Sequence, residues 1–424
     1  MSADEPTPAP DRAVEHDGVL RRTVAAVLAW RSRWYATPTL LVATFLFLAG
    51  LPLTLDAPVL GPVVGSVLSV NLLVVTLVWA IAGQGWNVLA GYVGRFSFGH
   101  AAFFGLGAYA PIVLAAQYSI NPWVGLLAGA VLAGLYALLI GVLTFRFDVR
   151  GSYFVLATLA FAELLLAVFS NVDDLGGASG FVKPLPSRYG ADYGLGAFQF
   201  QDQLPYYYVG LGLLLAVTLV AVAIKHSGAG LSLFAIREDE DAASAVGIPT
   251  MRYKLLALVV SAVCTAAAGT LWGMYFTTVR PSVVFGVLVN LEILVPAVVG
   301  GLGSVFGPIV GALGLTVASE IGRSVVDVPE LQDVVYGVIL LVVVLQSPGG
   351  MVTLPGKLAD RLAPSRRSGD DSGEGSDDGD EAASNADDTS IAESPSIGHE
   401  TSRGYDTSSG DGASDASDGD SDAG

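Results

Sequence analysis

The sequence predicts an all-α, polytopic integral membrane protein of about ten transmembrane helices, followed by a disordered acidic C-terminal tail. Three observations carry that prediction. Only 14% of the 424 residues are charged and 52% are hydrophobic, where an ordinary soluble protein carries about 25% charged residues. The charges are also segregated. From Arg366 to Gly424 there are 17 Asp or Glu against three Arg, a net of −14, leaving −4 of the total −18 for everything before. Finally, long stretches carry no Asp, Glu, Lys or Arg, among them Ala57–Gly94, Phe96–Phe145, Gln203–Ile224, Leu255–Val279, Ile293–Ser319 and Val334–Gly356. A membrane-crossing helix needs about 20 predominantly apolar residues, so several of these runs hold one span and the longest hold two.

Apolar runs and the breakers between them place spans near 38–56, 66–90, 101–117, 123–144, 153–170, 206–224, 255–279, 285–299, 305–320 and 332–347. The segments 285–299 and 305–320 are short and Gly-rich, and read either as full spans or as half-helices of a re-entrant pair. Ten spans put both termini on one side. The connections on that side carry fifteen of the Lys and Arg residues, Arg95, Arg146, Arg150, Lys225, Arg237 and Arg252 among them; the other side carries Lys183, Arg188, Arg280 and Arg323. Positive residues mark cytoplasmic loops, so both termini are expected in the cytoplasm and the protein in the cell membrane. The organisation is then a cytoplasmic N-terminal segment (1–37), a transmembrane domain (38–347), a basic juxtamembrane segment (348–368) and the acidic tail (369–424). Residues 171–205 form the longest external loop.

The tail is Ser, Asp and Gly with almost no large apolar residues, which cannot bury a core. Together with only four Lys among 21 basic residues, its acidity points to a halophile, because net charge far from zero keeps surfaces soluble. A plain acidic solvating tail is the other reading. The leader before the first span is too long and polar for a cleaved signal peptide.

Several chemistries are excluded. The alternating pattern of barrel strands is absent. Cys264 is the only cysteine, and the four His at 16, 100, 226 and 399 lack ligand spacing, so no metal site is expected. A P-loop needs Gly-Lys followed by Ser or Thr, but Pro, His, Leu and Leu follow the four lysines. No nucleophile elbow or paired carboxylates occur either. The chain reads as no enzyme, with no catalytic residue and no bound cofactor.

Two carboxylates fall inside apolar runs, Glu163 in "LATLAFAELLLAVF" and Glu292 in "VLVNLEILVPAVVGG". A charge within the membrane is costly and marks either a pathway or a packing hydrogen bond. Glu292 follows Asn290 and precedes Pro296, where a helix interruption is expected. Glycines cluster twice, as Gly91, Gly94 and Gly99 in "GYVGRFSFGHAAFFGLGAY" and as Gly300, Gly301 and Gly303 in "GGLGSVFGPIVGALG". Such clusters let membrane helices pack closely or free broken ends to line a pathway.

The stretch "REDEDAASAVGIP" interrupts the greasy chain with five successive charges, Arg237, Glu238, Asp239, Glu240 and Asp241, before Ala242, Ala243 and Gly247. It predicts a compact helix beginning near Arg237, which Gly247 would end in the left-handed conformation and Pro249 would stop. Its small face suits a groove in a soluble partner; a plain solvated loop is the alternative.

Four blocks in order, "NVLAGYVGRFSFGHAAFFGLGAYA", "FDVRGSYFVLATLAFAELL", "FAIREDEDAASAVGI" and "EILVPAVVGGLGSVFGPIVGA", resemble the membrane permease subunit of branched-chain amino acid ABC importers. The resemblance spans about 66–347. It implies transport of a branched-chain, hydrophobic amino acid into the cell, driven by ATP hydrolysed on partner subunits. It further implies a second permease subunit, two cytoplasmic ATPase subunits and an extracellular solute-binding protein, in membrane lipid and without nucleic acid. It also gives the charged stretch a role. Permeases of ABC importers carry a loop of the form E-A-A-x-x-x-G that docks on the ATPase, and Asp241-Ala242-Ala243 with Gly247 matches it, Asp replacing Glu. Ala243 is then expected to approach the ATPase. Urea and short-chain amide importers use closely similar permeases, and an ion-coupled secondary transporter with Glu163 or Glu292 as ion site is the reading from another class.

Overall fold

The computed structural model describes residues 36–55, 69–325 and 337. The expected span at 332–347, apart from that one residue, lies outside them, as do nearly all of segment 1–37, segment 348–368 and the tail. The described chain is almost wholly helical. In order come α1 (Ala36–Leu55), α2 (Val70–Val93), α3 (His100–Tyr118), α4 (Pro122–Arg146), α5 (Gly151–Asn171) and α6 (Gln203–Lys225). There follow the short helices α7 (Gly228–Glu238) and α8 (Glu240–Ala245), then α9 (Thr250–Tyr275), the single turn α10 (Pro281–Val284), α11 (Val287–Gly300) and α12 (Gly307–Val325). The only sheet among the described residues pairs β1 (Phe181–Val182) antiparallel with β2 (Thr278–Val279).

Caps account for several of the boundaries. Ser69 accepts a hydrogen bond from the Leu72 amide at the start of α2, and Gly94 closes that helix with φ 75°. Asn121 caps α4 with Pro122 in its first turn, where a missing amide hydrogen costs nothing.

Among the described residues seven segments are long and apolar enough to cross a bilayer: α2, α3, α4, α5, α6, α9 and the combined Pro281–Gly300. Against an expectation of about ten, α1 has an apolar part of only Pro38–Thr54, and α12 is not among the seven. The chain break expected around Pro296 is not there, because Pro296 sits inside a continuous α11. The interruption comes earlier, at Phe285 and Gly286 between α10 and α11. Alone, the 14 residues of α11 rise about 21 Å, short of the roughly 30 Å hydrocarbon core.

Helix α2 is the axis of the bundle. In its most apolar window 83% of the residues are buried, against 28% in α4 and 17% in α5. It packs on α9, α6, α12 and α11, and α9 in turn packs on α3 and α4. Helices apolar all round are either interior or lipid-facing, and burial sorts them here into those two kinds. At the α3–α9 crossing the backbones meet directly. A methyl on Gly107 would overlap the Ala266 carbonyl, and one on Gly269 would overlap that of Phe104.

The connection from α5 to α6 is clipped to the bundle. Phe181 lies opposite Val279 and Val182 opposite Thr278, the Lys183 amide donates to the Thr277 carbonyl at 2.8 Å, and Trp123 stacks on Phe198 at 4.3 Å. This is the loop end of the molecule; the opposite, basic end carries Arg95, Arg150 and Arg237.

Candidate functional site at the basic end

The two glycine clusters, more than two hundred residues apart, meet. A Cβ on Gly91 would collide with the Gly303 amide and with Asn87. Asn87, fully buried on α2, accepts from the Gly303 amide at 2.8 Å and donates from Nδ2 to the Ser304 carbonyl at 2.9 Å. Its carboxamide thus supplies both partners that a buried turn's backbone requires. Both turns use the left-handed region, Gly94 at φ 75° and Gly303 at φ 76°, where a side chain would be strained. Gly300 abuts Gly307 where α11 turns into α12. Gly99 abuts Thr158, whose Oγ1 accepts from the Phe98 amide at 3.1 Å.

The charged stretch lies on this joint, and it is not one helix beginning near Arg237. Arg237 and Glu238 end α7, and Asp239 starts α8, accepting from the Asp241 and Ala242 amides at 2.9 Å each. An Asp in extended conformation is a strong N-cap, so the chain restarts rather than continues. Gly247 follows α8 with φ 91°.

Three of the five charges engage the bundle, Glu240 from a half-buried position and Arg237 and Asp241 from exposed ones. Arg237 Nη1 donates to the Gly91 carbonyl at 2.6 Å. Glu240 bridges Arg95, in the α2–α3 turn, and Lys254, in the first turns of α9. Lys254 is 4% exposed and its ammonium also lies 5.1 Å from the centre of the Phe145 ring. Burial alone would raise the Glu240 carboxyl, but the hydrogen bonds and charges of Lys254 and Arg95 hold it below the ordinary carboxylate range. Asp241 pairs with Arg150 at 3.1 Å, which ties α8 to the α4–α5 turn. The segment is therefore fixed to three elements of the bundle.

Ala243, expected to face a partner, is instead 4% exposed and packed in the core. The reason is periodicity. Glu240 and Ala243 are three apart and share a helix face, and Glu240 is pinned inward. The outward face carries Ala242, Ala245 and Val246, the last 79% exposed.

A profile of the family described as branched-chain amino acid transport system / permease component matches residues 68–344. The chain belongs to this family. This permease is 27% identical over 304 residues to the high-affinity branched-chain amino acid transport system permease protein LivM of Escherichia coli strain K12, covering 68% of this chain and 70% of LivM. It is 25% identical over 288 residues to LivH of the same strain, covering 65% of this chain and 92% of LivH. A shorter match, 34% over 122 residues, relates it to the xylose transport system permease protein XylH of Haemophilus influenzae, covering 27% of this chain and 32% of XylH. No solved structure matches. As a member of this family the permease is not an enzyme, and its apolar helices make it a multi-pass membrane protein.

In the permease, Glu292 does not join Asn290. Asn290 points inward, 1% exposed, and its Oδ1 accepts from the Ala101 amide at 2.8 Å. Glu292, two residues on and so roughly 200° around the helix, is on the outward face beside Leu288 and Leu291. Glu163 lies half-buried on α5, well away in the chain from the glycine joint. Among the described residues no group of three or more His, Cys, Asp or Glu is placed to hold a metal. Sequence reasoning missed Asn87 and took Arg95, Arg150, Lys225 and Lys254 only as orientation markers. A carboxamide inside an otherwise apolar run was the one signal available for Asn87.

Proposed function

We propose that this chain is the permease subunit of an ABC importer that moves branched-chain, hydrophobic amino acids into the cell. ATP is hydrolysed on two separate ATPase subunits, and this chain binds no cofactor. The observation that carries the coupling is the α8 segment, which is held to the bundle through Glu240 and Asp241 while Ala242, Ala245 and Val246 stay outward. A short helix braced on one side and open on the other suits a groove on an ATPase. The positive-inside bias supports placing this end, and both termini, in the cytoplasm. LivM and LivH are both permease proteins of one named system, and the resemblance to each supports a second permease beside this one. The outward Glu292 supports it too, since a carboxylate facing lipid is costly and a partner subunit would cover it. An extracellular solute-binding protein completes the assembly.

The test is Val246→Arg in chain co-expressed with its ATPases and second permease. The variant should reach the membrane normally, yet retain roughly tenfold less ATPase on purification, the scale of a lost interface hot spot. Labelled leucine uptake should fall with it, while Ala383→Arg in the tail changes neither. Full retention of the ATPases by Val246→Arg would sink the coupling. Uptake that urea or acetamide competes away better than leucine would move the substrate to short amides.

A further inference from the structure

Helix α2 ends at Val93, and the last carbonyls of a helix have no partner within it. The Gly91 carbonyl is one of them, and it receives the Arg237 guanidinium. A cation at a helix C-terminus is also favoured by the helix dipole. The same side chain touches both glycine turns. Its Cγ stands 3.1 Å from where a Cβ of Gly94 would be, and its Nη1 stands 3.0 Å from where that of Gly303 would be. Lys225, at the end of α6, donates to the Gly303 carbonyl at 2.9 Å. Arg95, Arg150 and Lys254 all engage carboxylates; among the described residues Arg237 forms no ion pair and is spent on the joint alone. Three stretches of chain, the end of α2, the 301–304 turn and the α7–α8 segment, therefore converge on one guanidinium.

We propose that Arg237 is the positioning residue through which movement of the α7–α8 segment reaches the end of α2 and the 301–304 turn. The inference rests on the reading of α8 as the ATPase contact. Glu240 and Asp241 brace the segment against neighbouring elements, but Arg237 is the contact that grips the two left-handed glycines. Those turns can change backbone angles at low cost, so the arginine links a driven element to a jointed one. Coupling of this kind requires that the contact differ between two states of the assembly. Removing Arg237 leaves both the docking face and the joint in place and takes away the link between them.

The experiment uses the full transporter in liposomes, with its ATPases, second permease and binding protein, and labelled leucine as probe. In Arg237→Ala the ATPases should co-purify at the wild-type ratio. Leucine imported per ATP hydrolysed should fall by about tenfold, within the usual range of a coupling free energy. Arg237→Lys, which keeps the cation but cannot span both turns, should give an intermediate ratio, and stands in if Arg237→Ala does not reach the membrane as a folded chain. Hydrogen exchange gives a readout that a merely structural role would not move. In wild type, vanadate trapping should change the exchange of amides 88–94 and 302–305, and in Arg237→Ala that nucleotide-dependent change should vanish. An import ratio within about twofold of wild type in both variants overturns the proposal, on the same scale. So does loss of the ATPases from Arg237→Ala, which would make the arginine part of the dock. Val246→Arg reports on the dock separately, so failure of the coupling reading and failure of this inference are distinguishable.

Discussion

Glu240 answers two cations at once, and its carboxylate is less exposed than those of the other ion pairs at the basic end, Asp148 and Asp241. Its side chain is 11% exposed and that of Lys254 is 4%, so the pair is buried rather than a screened surface contact. Removing one partner of a buried pair costs about 3–5 kcal/mol because the other charge is left uncompensated. Glu240→Gln should therefore lower the thermal stability of the purified permease, whereas Glu238→Gln, on an exposed residue, should change it little. The pH dependence has a definite sign. A carboxyl depressed in the fold contributes stability above its unfolded value, about 4.3, and loses it as pH falls through the lower folded value. Wild type should lose stability below about pH 4 by an amount that Glu240→Gln does not lose; equal acid sensitivity would mean Glu240 is not the group responsible. None of this pairing was legible in "REDED". The partners sit 145 and 14 residues away, and a charge run read without them looks uniformly solvated.

At the scale of elements the apolar runs did most of the positioning. The segments expected at 101–117, 123–144 and 153–170 correspond to α3, α4 and α5 within a few residues, because a charge-free run bounded by Gly, Pro and Arg leaves a membrane helix little freedom in register. The charged stretch divided where expectation put one helix, although Asp239 followed by two acidic residues is itself a helix-start pattern. Competition between five adjacent charges for that role hid it. Around α11 the same reasoning failed for another reason. Proline breaks a helix only where its ring clashes or a hydrogen bond is needed, and in membrane helices neighbours compensate; Pro296 packs against Gly83 and Gly311 instead. That leaves Glu292 facing outward. Glu292→Ala should reduce leucine uptake and second-permease retention by about tenfold, as an interface anchor would, and should do more harm than Glu163→Ala at matched protein levels. The reverse order would place the partner surface on α5.

For the molecule as a whole, class and approximate helix order were legible in composition, while the meeting of Gly91 with Gly303 was not. Both stretches open G-x-x-G, but only the packing of α12 and α11 on α2 brings the two turns to one place. The loop end has a different character. There Phe181 and Val182 pair with Val279 and Thr278, joining the α5–α6 connection to the chain just after α9. Backbone pairing of this sort does not stretch. A bundle riveted at one end and jointed by two glycine turns at the other should move as tweezers do, its excursions confined to the free tips. In a Cys264→Ser background, nitroxides at Leu185 and Val283, both exposed near the rivet, should keep one distance distribution through the ATP cycle. Nitroxides at Tyr153 and Leu231, 77% and 73% exposed near the tips, should shift on vanadate trapping. A pivot at the glycine end would reverse that pattern, and the leverage of every contact at the basic end would reverse with it.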